Sequence, residues 1–161
     1  MAEQAGDHEH ALKLAQNALQ AGAGLDDSSS LAQAHNVLSI LARHGGQGMD
    51  AIAHAQSSLD LAAKSDSMLR IAALNSLSMA YATVGENARA ITLTDEALAA
   101  CLALGDRHRA AALYNHLADY HHALGENVAA NAFVKKAVRI FAEINADGVD
   151  LNPAIWMLVE W

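Results

Sequence analysis

The side chains here whose types could do chemistry are nine histidines, one cysteine and a set of regularly spaced asparagines. The histidines are His8, His10, His35, His44, His54, His108, His116, His121 and His122. A zinc-binding pair on one helix stands at i, i+3 or i, i+4, so that both imidazoles face one ion. No two of these histidines have that spacing. Asp119 stands three residues before His122, but no third ligand joins them. Neither a metal nor a cofactor is expected. Cys101 lies among Ala99, Ala100, Leu102 and Ala103 and reads as a small buried hydrophobe, not a reactive thiol. Gly45-Gly46-Gln47-Gly48 lacks the following Lys-Ser/Thr of a phosphate loop and reads as a turn. No nucleophile–base pair stands out, so the expectation is a protein that is not an enzyme. The asparagines differ. Asn36, Asn75 and Asn115 recur at intervals of 39 and 40. Each carries two donors and an acceptor, so a row of them suits either of two tasks. It can pair with the backbone of an extended peptide, or it can hold neighbouring helices in register.

Helices must position these groups. Of 161 residues, 37 are Ala and 21 are Leu, two strong helix formers, and β-branched and aromatic residues are sparse. At 53% hydrophobic and 17% charged the chain is too apolar to be disordered. The expected class is all-α. Repetition then gives the architecture. Gly6, Gly46, Gly85 and Gly125 are spaced by 40, 39 and 40. Five residues after each comes an alanine (Ala11, Ala51, Ala90, Ala130), and seven further on another small residue (Ala18, Ser58, Ala97, Ala137). Leu38, Leu77 and Leu117 stand eight residues before three of the glycines, each followed by Ser or Ala. Asp26, Asp66 and Asp106 keep the 40-residue interval. Each unit reads as two helices, the second running from about Asn87 to Leu104 in the middle unit. Small residues belong where two helix axes approach closely.

On these residues the chain resembles the tetratricopeptide-repeat (TPR) family. Leu77-Ser78, Tyr81, Gly85, Ala90 and Ala97 follow its pattern, as do Leu117-Ala118, Gly125, Ala130, Val134 and Ala137. His121 and Ala42 stand where that pattern has an aromatic residue, and the usual terminal proline is missing. The 39–40-residue period is similar to the kinesin-light-chain and bacterial-regulator variety. HEAT and armadillo repeats share the period but not the Gly–Ala–Ala spacing. The resemblance implies a right-handed α-solenoid in one domain, 1–161. It would contain a half-repeat over 6–26, full repeats over 27–65, 66–105 and 106–145, and a capping helix over 153–161 opened by Asn152-Pro153. It also implies that Asn36, Asn75 and Asn115 face a concave groove. Helical spacing then adds Gln33, Ile40, Arg43 and His44 from the first unit, Met79 and Thr83 from the second, and Asp119 and His122 from the third.

The resulting expectation is a non-catalytic module that binds a peptide or partner segment in that groove. The competing readings are a self-associating scaffold and the sensory portion of a bacterial signalling or transcription regulator. A net charge of -8 without a Lys/Arg cluster argues against a nucleic-acid partner. No apolar run reaches the roughly 18 residues of a membrane span, and Met1–Glu9 carries no signal-like core. The expected setting is the cytoplasm, which also suits a single cysteine. The half-repeat helix, with Ala11, Leu12, Leu14, Ala15, Ala18 and Leu19, should expose an apolar side and pair two copies as a homodimer.

Overall fold

The computed structural model describes residues 2–25, 27–62 and 67–146, and their side chains over 10–22, 27–62 and 67–144. Seven helices are present among the described residues: α1 (Ala2–Leu25), α2 (Ser28–His44), α3 (Gly48–Ala62), α4 (Ser67–Thr83), α5 (Asn87–Leu104), α6 (Arg107–Ala123) and α7 (Asn127–Ala146). Local signals set their ends. The Asp27 carboxylate accepts from the backbone N–H groups of Ser29 and Ser30 at 3.1 Å, and Asp106 accepts from that of Arg109 at 3.0 Å. Both satisfy donors that a helix start leaves open. Asp26 and Asp66 lie outside the described residues. Between the two helices of a unit, Gly85 (φ 83°) and Gly125 (φ 79°) take the left-handed conformation that reverses the chain.

Helices α2 and α3, α4 and α5, and α6 and α7 pack as pairs, and α3 then packs on α4 and α5 on α6. The result is an all-α helical repeat in which α2, α4 and α6 are first helices and α3, α5 and α7 second helices. Small side chains sit at the crossings. Ala51, Ala55, Ala90 and Ala97 are wholly buried, while Ser39 Oγ donates to the Ala51 carbonyl and Ser58 Oγ to the Ala32 carbonyl, each at 2.8 Å. Each hydroxyl is hydrogen-bonded where burial would otherwise be costly. A larger core of Ile71, Leu74, Leu98, Cys101, Leu113 and Leu117 fills the space between α4, α5 and α6. Cys101 is enclosed there, and burial pushes its thiol up to about 11. That is the condition of an inert thiol.

One end departs from the sequence reading. The half-repeat helix is expected to begin after a turn at Gly6, whereas α1 starts at Ala2 and runs through Gly6. Glycine in a helix costs only about 1 kcal/mol relative to Ala, so a single Gly6 does not end α1. The expected helix over 153–161 lies outside the described residues.

The crossing geometry gives a direct expectation. Ala90 has no exposed surface. Ala90→Leu forces three extra carbons between α4 and α5 and should cost about 1–3 kcal/mol in urea unfolding. An unchanged midpoint would show that the helices do not approach at that position.

Candidate functional site

The three first helices stand side by side. Their inward-facing positions form one cleft of about 270 Å³, lined by Arg43 from α2, Met79, Ala82 and Thr83 from α4, and His116, Asp119 and Tyr120 from α6. Four of the residues expected from sequence, Arg43, Met79, Thr83 and Asp119, are therefore brought together. Opposite charges mark its two sides. The Arg43 guanidinium donates to His44 Nε2 at 2.9 Å and is close enough to act electrostatically on Tyr120. Asp119 sits at the rim, where desolvation raises its carboxyl above the ordinary range and neighbouring His122 partly offsets this. Met79 offers an adaptable apolar contact between Arg43 and Asp119.

The asparagines serve a second purpose. Asn75 is only 3% exposed, and its Oδ1 lies 3.0 Å from His116 Nδ1, which donates to it, while its Nδ2 faces the Met79 sulfur at 3.8 Å. Asn36 Oδ1 accepts from Ser76 Oγ at 2.5 Å. In both cases an asparagine on one first helix meets the side chain that follows the corresponding asparagine of the next. Of the two tasks open to these residues, the Asn36–Ser76 and Asn75–His116 bonds serve the one between repeats. Asn115 is half-buried on α6.

The remaining expected residues do not join the cleft. Gln33 lines a separate apolar cleft between α1 and α2. Ile40 is half-buried on α2, and His44 is exposed at that helix's end. His122 is exposed, with Nδ1 3.0 Å from Asn127 Oδ1 at the start of α7. Sequence reasoning missed His116 and Tyr120. Tyr120 is buried, its hydroxyl lies 3.4 Å from Ser78 Oγ, and burial holds its ionisation above the ordinary range. The signal was available in the register, since both positions directly follow Asn115 and Asp119.

Another pairing was not visible in local spacing. His35 and His54 are 19 residues apart, yet their Nδ1 atoms lie 3.1 Å apart between α2 and α3. Burial, and then the neighbouring His54, hold the His35 imidazole below its ordinary range. Among the described residues no three His, Cys, Asp or Glu side chains gather as a metal site, and no helix is long and apolar enough to cross a membrane.

Two measurements follow. Asn75→Ala removes the acceptor from a buried imidazole and should cost about 1–3 kcal/mol of stability in urea unfolding, whereas half-buried Asn36→Ala should cost less. His35 takes a proton more readily unfolded than folded. Stability should be full above the unfolded imidazole value near 6.5 and fall as pH drops from there to the lower folded value. His35→Gln should flatten that fall in melting curves recorded from pH 8 to 5.

No protein-family model matches the sequence, and no curated protein does. Solved structures do. BtubC (BKLC) from P. vanneervenii is similar at 23% identity and a TM-score of 0.79, over 92% of this chain. The match takes in 61% of BtubC, so this chain spans about three fifths of that protein's length. Nearly identical TPR-like repeats of kinesin-light-chain type from Podosopora anserina are similar at 21% identity and a TM-score of 0.68, over 88% of this chain and 71% of that one. The MamA protein is similar at 19% identity and a TM-score of 0.61, over 94% of this chain and 82% of that one. Taken with the helix pairs and their 39–40-residue register, these likenesses show that the chain has the fold of a TPR-type helical repeat.

Proposed function

We propose that this chain is a non-catalytic protein-interaction module whose concave cleft holds a segment of a partner protein. The observation that carries this reading is the convergence of Arg43, Met79, Thr83 and Asp119 from three successive repeats on one open cleft. They stand at different turns, Met79 and Asp119 four residues after their asparagines and Arg43 and Thr83 seven and eight after theirs, so a segment crossing the first helices obliquely meets all three. Arg43 on one side and Asp119 on the other suit a segment carrying an acidic group toward α2 and a basic group toward α6. Met79 and the Tyr120 ring floor supply apolar contact between those ends. Asn36 and Asn75 act as positioning residues, because they fix the spacing of the helices that present the cleft.

The likeness to other TPR-type repeats supports a role in protein interaction, and the fold itself hosts many partners. A cleft of mixed charge suits recognition of a charged segment. A setting inside the cytoplasm agrees with the buried, unpaired thiol of Cys101. The reading as a sensory portion of a larger regulator would use the same cleft.

The test is capture from lysate of the source cells, followed by binding of the captured partner to purified variants. Arg43→Glu combined with Asp119→Lys should reduce affinity at least tenfold while leaving helicity and the unfolding midpoint nearly unchanged, because both side chains line an open cleft. Retained affinity in the charge-reversed protein would move the interaction away from this face.

A further inference from the structure

Two contacts recur through the repeats at fixed register. The residue before each asparagine meets a partner on the second helix of its own unit. His35 meets His54, Leu74 and Leu93 share the central core, and Tyr114 stacks on Phe133 with centroids 6.1 Å apart. The asparagine itself then reaches the following unit, Asn36 to Ser76 and Asn75 to His116. By the same register α1 is a second helix, since its Ala11, Ala15 and Ala18 correspond to Ala51, Ala55 and Ser58 of α3. Leu14 accordingly occupies the position of His54, Leu93 and Phe133. Val37 of α2 occupies that of Ser76 and His116. Both are left outward, with Leu14 55% and Val37 39% exposed. They line one apolar cleft of about 390 Å³ together with Ala11, Ala15, Ala18 and Gln33. Among the described residues no first helix fills this seat.

The register states what the seat requires. Against Leu14 the incoming helix must set a large apolar residue. Against Val37 it must set another apolar residue and not an asparagine, whose amide would find no partner on a valine. Alanines at three successive turns admit a close approach. Within this chain α1 itself answers that description, with Leu14 and Ala15 adjacent and Ala11 and Ala18 about one turn to either side. Among the described residues no charged one lines the cleft, so two chains of net charge -8 can meet along these side chains without like charges in contact. A two-fold pairing uses one surface twice and closes the assembly. We propose that the seat between α1 and α2 is filled by α1 of a second copy of this chain, Leu14 packing across a two-fold axis. The pairing continues the repeat's own helix stacking between two molecules and is independent of the concave cleft.

Light scattering of the full chain from about 1 to 100 µM tests it, with three proteins compared. The unaltered chain should show a dimer mass that dissociates on dilution. Leu14→Asp should be monomeric throughout that range with unchanged helicity, since the side chain is exposed. Leu14→Cys should cross-link to a covalent dimer with a short bis-maleimide, because Cys101 is buried and offers no competing thiol. A monomer mass at every concentration overturns the proposal, as does a dimer that survives Leu14→Asp or fails to cross-link through position 14.

Discussion

The fold depends on the close approach of paired helices at a few small side chains. Ala51 and Ala90 have no exposed surface, and Ser39 and Ser58 place hydroxyls where the paired helix offers a carbonyl. At such positions the helix backbones nearly touch, so the side chain must be small and any polar atom must find a partner. Dispersion and burial then act along the whole length of each crossing. With the crossings fixed, the larger residues from Ile71 to Leu117 fill a core whose shape is already set. The 39–40-residue register turns one such crossing into an array.

The same constraint governs the polar residues. Packing first helix against first helix buries Asn75 and half-buries Asn36 and Asn115. A buried amide must be satisfied, and here the next unit supplies the partner, Ser76 for Asn36 and His116 for Asn75. These bonds couple adjacent units and set the angle at which each presents its next turn. That turn carries Ile40, Met79 and Asp119, and one turn further lie Arg43, Ala82 and His122. The concave cleft is thus built on a row of inter-unit hydrogen bonds rather than lined by them. Where Val37 replaces the polar residue, the row ends in an apolar surface at the α1 edge.

Salt links operate more locally. Arg70 pairs with Glu96 and Arg107 with Glu143, each joining a first helix to the second helix of its own unit. These pairs are substantially exposed, so their contribution is small. The cleft charges Arg43 and Asp119 are of another kind, since they belong to different units and line the open cleft.

The sequence by itself determined the helical class, the repeat and the turns at Gly46, Gly85 and Gly125, though not at Gly6, because these follow from local chemistry. Alanine and leucine content, aspartate caps and glycines at recurring intervals act within a few residues of where they stand. The same periodicity placed Arg43, Met79, Thr83 and Asp119 on one side of their helices. Tertiary structure decided the rest. Whether Asn75 faced a ligand or a neighbouring unit depended on how far α4 and α6 approach, and their contact leaves it 3% exposed. His35 and His54 met only because α2 and α3 cross there, 19 residues apart in sequence. His116 and Tyr120 entered the cleft for the same reason. Periodicity identifies the face a side chain occupies, but the separation between faces is set by packing, and that separation decides which polar groups bond to each other and which remain open.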